Sequence, residues 1–213
     1  MLQYRGSFMD EIDLAALLVS RVCHDLVSPV GAVVNGLEVL ADETDPTMRA
    51  DALRLVAASA EQASARLQFA RLAFGAAGSA GAELDIGEVG RIISGLLKGG
   101  RVELIWKMEP VTWPKDWAKL LMNAVLVAAD CLPRGGTITV ERPSGTAPNR
   151  FSISAKGALV RLGPETERAL AGETVAGLDG RSVQPYLTSR LAKNLGAKLS
   201  TLTTAAEIRF LVE

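Results

Sequence analysis

Histidine occurs once in this 213-residue chain, at His24. A single imidazole excludes every metal site built from several histidines and leaves one candidate for histidine chemistry. The two cysteines, Cys23 and Cys131, are too few for a disulfide framework. No uninterrupted apolar run approaches the roughly 18 residues that a membrane span needs. The first 13 residues lack the apolar core of a signal peptide, so the sequence predicts a cytoplasmic protein without a membrane segment.

Basic residues are not in excess, because 23 lysines and arginines are present with 24 aspartates and glutamates. Proteins that bind nucleic acid or membrane surfaces usually carry a basic excess, so neither partner is expected. The charge is divided along the chain, and the first lysine is Lys98. Residues 1–78 contain six arginines and ten acids, whereas residues 79–213 contain 17 basic and 14 acidic residues. This division indicates two different parts.

Small residues concentrate at 75–82, where the sequence is Gly-Ala-Ala-Gly-Ser-Ala-Gly-Ala. That composition is typical of a flexible linker. We therefore place a domain boundary there, with a first domain over residues 1–79 and a second over residues 80–213.

Residues 1–79 are predicted to form a helical hairpin. Asp45 and Pro46, a capping residue followed by a proline suited to the first helical position, separate helices over about 10–41 and 46–74. Apolar residues of the second helix recur at alternating spacings of three and four: Leu53, Val56, Ala60, Ala63, Leu67, Ala70 and Phe74. One hairpin cannot enclose the apolar surface of both helices, so we expect a homodimer that closes a four-helix bundle.

Residues 80–213 combine helical and strand periodicities. The predicted helices are 85–97, 116–132 and 184–195, and the predicted strands are 102–107, 137–141, 151–155, 198–203 and 206–212. This order favours helices on one face of a mixed sheet, an α/β sandwich. Together with the hairpin, it places the chain in the α+β class.

His24 is predicted to face solvent in the middle of the first helix, because it lies roughly opposite the stripe marked by Val22 and Leu26. A largely neutral imidazole can act as a nucleophile at pH 7. Pro29 has no N–H to give to the carbonyl of Asp25, which predicts a kink beside His24. One face around His24 would let another protein approach closely; it is lined by Arg21, Ser28, Gly31, Ala32 and Asn35.

Two plainer interpretations of His24 stay open at this point. A lone exposed histidine on a helix is often inert. Cys23 beside it suggests a metal ligand, but adjacent helical residues point about 100° apart and no further ligand lies nearby. We therefore expect no metal site.

The stretch from His24 to Pro29, His-Asp-Leu-Val-Ser-Pro, resembles the phosphoacceptor box of sensor histidine kinases. That box reads histidine, an acid, leucine, two variable positions and proline. It also falls where that family places it, in the first helix of a dimeric hairpin. The second part is similar to the ATP-binding domain of those kinases, with residues 123–140 resembling the asparagine-containing helix, the Pro-Gly-Gly turn and the strand that follows.

The nucleotide-binding motifs of that family are altered here. Its second, magnesium-coordinating asparagine corresponds to Val127, and its lysine three residues further on corresponds to Asp130. The Asp-x-Gly-x-Gly pattern that reads adenine aligns with residues 155–159, Ala-Lys-Gly-Ala-Leu, and the glycine-rich loop aligns with residues 182–185, Ser-Val-Gln-Pro. A phosphate cradle needs the close backbone approach that glycine permits. We therefore expect no ATP binding and no cofactor.

A phosphoacceptor hairpin joined to a degenerate nucleotide domain resembles the histidine phosphotransferases of alphaproteobacterial phosphorelays, the ChpT type. Residues 67–75 look like that family too, and the resemblance covers essentially the whole chain. It implies a phosphoryl carrier that is not an ATP-dependent kinase. His24 would accept the phosphoryl group at Nε2 from the receiver domain of a hybrid histidine kinase. It would then pass the group to the aspartate of response regulator receivers that control the cell cycle.

The expected partners are therefore a second copy of the chain and receiver domains, and the Mg²⁺ belongs to the receiver. Asp25 is expected to orient the imidazole through a hydrogen bond. Arg21, Arg66 and Arg71 are candidates to neutralise phosphate or to meet receiver acids, and Arg161 is the candidate docking residue of the second domain. Two alternatives are an active ATP-dependent histidine kinase and a non-catalytic dimeric scaffold for receivers.

Overall fold

The computed structural model describes residues 10–75, 82–143, 148–173, 178–180 and 182–213. Within those ranges the helices are α1 (Glu11–Asp42), α2 (Pro46–Ala73), α3 (Ile86–Leu97), α4 (Lys115–Asp130), α5 (Pro164–Leu170) and α6 (Val183–Asn194). The strands are β1 (Glu83–Asp85), β2 (Val102–Lys107), β3 (Thr112–Pro114), β4 (Gly136–Glu141), β5 (Phe151–Lys156), β6 (Leu199–Thr203) and β7 (Glu207–Val212). Most of the predicted linker, residues 76–81, lies outside the described residues.

The first two helices form the predicted hairpin, and each end has a local cause. The Asp10 carboxylate caps α1 by accepting from the amide of Ile12. Asp45 caps α2 by accepting from the amides of Thr47 and Met48, both at 2.9 Å. Such caps satisfy amides that the first turn of a helix leaves unpaired.

The two helices approach closely at Gly36 of α1. A Cβ atom at that position would lie 2.6 Å from Cγ2 of Val56, which is too close for any side chain. Among the buried and half-buried positions of α2 is one regular series: Ala52, Val56, Ser59, Ala63, Arg66 and Ala70. Their spacing alternates between four and three, which is the period of one helix packed along another.

The outer surface of the hairpin stays apolar. From the predicted stripe of α2, Leu53, Ala60 and Leu67 are exposed. By length and composition α1 is apolar enough to cross a membrane, with a mean hydropathy of 1.5 in its most apolar 18 residues. Only 6% of that window is buried. A hairpin helix with an open apolar face satisfies the same criteria, so they are weak evidence for a membrane span.

The second part contains a five-stranded sheet in the order β2-β4-β5-β7-β6. Strands β2 and β4 are parallel and the other pairs are antiparallel, which makes the sheet mixed, as predicted. The register aligns Val140, Ile153 and Phe210 across three strands, and all three are buried. These rows form one hydrophobic core with residues of α3, α4 and α6, so the helices lie on this face of the sheet.

Three short elements escaped the sequence analysis. Strands β1 and β3 have three residues each and pair antiparallel in a small separate sheet. Helix α5 has seven residues. Such short elements show too little periodicity to be recognised. The other boundaries agree within two residues; α4, expected to reach Leu132, ends at Asp130.

The hairpin packs directly against the second part. Phe69 and Ala73, near the end of α2, are buried in the same hydrophobic core as the sheet. A smaller cluster joins Leu14 of α1 to Tyr186 of α6. Both contacts bring the middle of α1 opposite the helices of the second part.

Candidate functional site

His24 lies in the middle of α1 with its side chain 71% exposed, as predicted. Its Nδ1 lies 3.6 Å from Oδ1 of Asp25. That distance is too long for a hydrogen bond but short enough for a direct electrostatic interaction. A carboxylate on the Nδ1 side favours the tautomer protonated there, which leaves the lone pair on Nε2.

The Asp25 carboxylate is held in place by Arg21, one helical turn earlier. Nε of Arg21 donates to Oδ2 of Asp25 at 2.9 Å. The two carboxylate oxygens are therefore divided, one bound to Arg21 and the other facing His24. Arg21 is only 11% exposed, so its charge is poorly screened by solvent.

Pro29 is buried inside α1, which continues through it as one helix of 32 residues. As predicted, the proline cannot donate to the Asp25 carbonyl. Nη1 of Arg66, on α2, donates to that carbonyl at 2.6 Å instead. Arg66 therefore replaces the missing main-chain hydrogen bond and joins the two helices at Asp25, the neighbour of His24. The partly buried guanidinium is thus engaged with the backbone through Nη1, and its contact with phosphate or receiver acids stays a prediction.

His24 opens onto a cleft of about 680 Å³ between α1 and the second part. From α1 the cleft is lined by Ser20, Arg21, His24 and Asp25. From the second part it is lined by Val127, Asp130, Cys131, Arg161, Glu165, Thr166, Asp179, Gly180, Ser182 and Pro185. Four of the positions that depart from the kinase nucleotide motifs therefore line the same cleft as the histidine: Val127, Asp130, Ser182 and Pro185. The predicted docking residue Arg161 lines it too.

Arg21 also connects the two walls of this cleft. Its Nη1 donates to the carbonyl of Gly180 at 3.4 Å, and its Nη2 lies 3.9 Å from Oδ2 of Asp130. The predicted contact of Arg21 with phosphate or a partner stays a prediction. The Arg21 guanidinium lies between Asp25 and the second part of the chain.

The remaining predicted contact residues lie outside the cleft. Ser28, Asn35 and Arg71 are exposed, and Gly31 and Ala32 are half-buried. A Cβ atom on Gly31 would have no heavy atom within 4 Å, so the surface there is open. Their role in binding a partner stays a prediction.

Sequence analysis missed the acidic side of the cleft, formed by Glu165 on α5 and by Asp179. A local signal existed for the latter. The amide of Ser182 donates to Oδ1 of Asp179, and the amide of Asp179 donates to Oγ of Ser182, both at 2.8 Å. These reciprocal bonds hold the turn immediately before α6, whose N-cap Ser182 forms no side-chain capping bond with the helix itself.

The two cysteines differ in reactivity. Burial, with the nearby Asp130 carboxylate, raises the pKa of the Cys131 thiol from 9.0 to about 12. Cys23 is exposed beside His24. Within the described residues, no group of three or more histidine, cysteine or acidic side chains is arranged to hold a metal ion.

Residues 86–207 match the family model of the histidine phosphotransferase C-terminal domain. The chain belongs to this family. Protein phosphotransferase ChpT of Brucella abortus (strain 2308) is 42% identical to this family member over 210 residues, which are 96% of this chain and 97% of that protein. A solved structure described as a bacterial phosphotransferase has 40% identity and a TM-score of 0.86, over 98% of this chain and 99% of its own.

A histidine kinase domain from the Erythrobacter litoralis EL346 blue-light activated histidine kinase is more distant, at 13% identity and a TM-score of 0.46. It covers 86% of this chain and 94% of its own. Family membership confirms the predicted resemblance and assigns the chain to phosphorelay phosphotransfer. It favours neither the scaffold nor the ATP-dependent kinase.

Proposed function

We propose that this phosphotransferase carries a phosphoryl group on Nε2 of His24 between the aspartates of receiver domains. The observation that carries the proposal is the exposure of the chain's only imidazole beside a fixed carboxylate, at the mouth of a cleft. The donor is the receiver of a hybrid histidine kinase, and the acceptors are response regulators of the cell cycle. Both assignments follow the family resemblance.

The transfer needs little from the protein beyond position and charge. The Nε2 lone pair attacks phosphorus, the bond between phosphorus and the donor's aspartyl oxygen breaks, and the donor carboxylate leaves with those electrons. The ring then carries a positive charge, because Nδ1 keeps its proton. The Asp25 carboxylate, 3.6 Å from Nδ1, stabilises that charge. The acceptor's aspartate reverses these steps, with Mg²⁺ held by the receiver.

Receiver docking extends from α1 across the cleft. The open surface around Gly31 lies on α1 beyond His24, and Arg161 lies on the opposite wall. A receiver seated over His24 would meet both surfaces. Arg161 and the exposed Arg71 provide positive charge for the acids around a receiver's phosphorylation site.

We propose that the second part does not bind ATP. Val127 lines the cleft where the kinase family has a magnesium-coordinating asparagine. The asparagine that is retained, Asn123, is fully buried and donates to the carbonyls of Ala73 and Lys119. Neither residue is available to a metal–phosphate complex. Calorimetric titration with ATP and Mg²⁺ should show no saturable binding below about 100 μM, which corresponds to about −5.5 kcal/mol. Tighter binding would contradict the proposal.

We propose that the chain is a homodimer whose hairpins form a four-helix bundle. The exposed apolar residues of the hairpin include Val27, Val30, Val34, Leu37, Leu53 and Leu67. An apolar surface of this extent is unusual for a monomer in water. A second copy of the chain covers this apolar surface. We place the dimer in the cytoplasm with its relay partners, and we expect no contact with membranes or nucleic acid. Light scattering should give about twice 22.5 kDa, and a clean monomer would contradict the bundle.

Transfer of radiolabel from a phosphorylated receiver to the purified chain tests the main proposal. The label should appear on the chain, disappear in acid and survive in base, because a phosphoramidate is acid-labile and an acyl phosphate is base-labile. Receiver binding without transfer of label would support the scaffold instead. Label from ATP alone would support the kinase.

A further inference from the structure

Asn123 joins three helices through one buried side chain. Its Nδ2 donates to the carbonyl of Ala73 at the end of α2, at 3.1 Å, and to the carbonyl of Lys119 in α4, at 2.7 Å. Its Oδ1 accepts a hydrogen bond from Nε2 of Gln184 in α6. Asn123 and Gln184 are both fully buried. Every hydrogen-bonding atom of the Asn123 amide is therefore used.

The bond to Ala73 has an energetic reason. Ala73 is the last residue of α2, so its carbonyl is among the four that a helix leaves without an internal partner. The residue is only 2% exposed, so water cannot readily replace a protein donor. An unpaired carbonyl there would be costly, and Asn123 removes that cost only when the hairpin and the second part are correctly placed.

Helices α4 and α6, which Asn123 joins, form the cleft wall opposite His24. Val127 and Asp130 follow Asn123 by about one and two turns of α4, and both line the cleft. Pro185, which lines the cleft from α6, is adjacent to Gln184. The hydrogen bonds of Asn123 thus connect the end of the hairpin to both helices, although Asn123 itself does not line the cleft.

We propose that Asn123 is a positioning residue that sets the placement of the second part on the hairpin. It thereby sets how far the Arg161 side of the cleft lies from His24. The functional consequence rests on the proposed phosphotransfer. Because His24 and Asp25 belong to the hairpin, loss of this placement weakens receiver docking and leaves the chemical step intact.

The sharpest variant is Asn123→Asp, which keeps the shape of the side chain but removes the NH₂ group that serves Ala73 and Lys119. Thr188→Val is the matched control. Thr188 is also fully buried in α6, but its hydroxyl donates only within that helix, to the carbonyl of Gln184 at 2.8 Å. Gln184→Met removes the bond from α6 and leaves the bond to Ala73, so it should have a smaller effect.

Placement can be measured without any phosphoryl transfer. All three tryptophans, at positions 106, 113 and 117, lie in the second part. An acceptor dye attached to exposed Cys23 reports energy transfer from these tryptophans to the hairpin, since the buried thiol of Cys131 stays unreactive. Energy transfer should change, with a broader lifetime distribution, in Asn123→Asp and not in Thr188→Val. Unchanged energy transfer in Asn123→Asp, or an equal change in Thr188→Val, would overturn the proposal.

Unlabelled protein tests the consequence for transfer. With a phosphorylated receiver, Asn123→Asp should raise KM about five- to tenfold, with kcat within about twofold of wild type. A fall in kcat with an unchanged KM would overturn the positioning role. If Asn123→Asp does not fold, Asn123→Leu, which removes the same NH₂ group without adding a carboxylate, decides the question by the same two measurements. If wild type itself transfers nothing, the proposed function fails, and energy transfer still tests the placement.

Discussion

The two parts of the molecule differ in how they bury their apolar side chains. The second part encloses a core around Phe151, Ile153 and Phe210 within one chain, and its nucleotide motifs have departed from the kinase pattern. The hairpin leaves apolar residues such as Val30 and Leu67 exposed, and it carries His24, the phosphoacceptor that we propose. This core is formed by apolar side chains of the sheet and helices, with Phe69 and Ala73 of the hairpin added at its edge, so the fold of the second part does not depend on those nucleotide motifs. The hairpin, whose apolar surface we propose is covered by a second copy, presents His24 on a face that is open to solvent.

The largest expected effect is the loss of phosphoryl transfer when the histidine of the hairpin is replaced. His24→Ala should abolish transfer from a phosphorylated receiver, because no other imidazole exists in the chain. The exposed ring leaves no cavity, so thermal stability should change by less than about 0.5 kcal/mol. Asp25→Asn should slow transfer without ending it, because the charge that stabilises the ring is lost.

The matched control for His24→Ala is Cys23→Ala, an exposed neighbour on the same helix. It should transfer label at close to the wild-type rate. Label that persists on the His24→Ala protein would show that a different residue is the acceptor.

The next effect concerns burial. Leu67→Asp should weaken the dimer about 100-fold or more, because it places an unpaired carboxylate in the proposed bundle. Leu202→Asp, on β6, is the control, since Leu67 is 52% and Leu202 59% exposed in the single chain. Sedimentation across a dilution series measures both. Equal effects, or none, would show that the hairpin face is not the interface.

A smaller effect is expected inside the hairpin, at the hydrogen bond between Arg66 and the Asp25 carbonyl. Arg66→Met should lower the free energy of unfolding by about 2 kcal/mol, because it leaves that carbonyl unpaired, and it should slow transfer. Arg71→Met, an exposed arginine of the same helix, should change stability by less than about 0.5 kcal/mol. Denaturant unfolding gives both values. A stable Arg66→Met with unchanged transfer would show that the bond is dispensable.

The smallest effect belongs to the second part and depends on pH. Burial holds the pKa of the Cys131 thiol at about 12, above its ordinary 9.0, so between these values the folded state keeps a proton that the unfolded state has lost. The free energy of unfolding should therefore fall as pH rises above 9.0. Thermal melts of Cys131→Ala, compared with wild type from pH 8 to 10, should show a shallower decline. Parallel declines would contradict this cause.

Local rules predicted much of this fold. Asp45 and Pro46 located the hairpin turn, and the angle between His24 and its apolar neighbours predicted its exposure. The missing N–H of Pro29 also identified the carbonyl that needs a new partner. Nothing local identified Arg66 as that partner, because it lies 41 residues away on another helix. The cleft escaped prediction for the same reason, since its walls meet only through tertiary packing.

The heptad of α2 shows how far periodicity can be taken. It correctly marked a helix, but it could not distinguish positions that face α1 from positions that stay exposed. Val56 is half-buried beside Gly36, whereas Leu53 and Leu67 are exposed. Periodicity in the sequence identifies one face of a helix. Which neighbour covers each part of that face depends on how the helices assemble.

Pro29 and Arg66 depend on each other in a way that constrains how the sequence can change. An ordinary residue at position 29 would supply an amide that competes for the Asp25 carbonyl and leaves a partly buried guanidinium without its acceptor. Loss of Arg66 with Pro29 retained would leave the carbonyl unpaired. Each single change passes through a less stable intermediate, so the two residues should be inherited as a pair. The helical turn that carries His24 is thereby protected from gradual change.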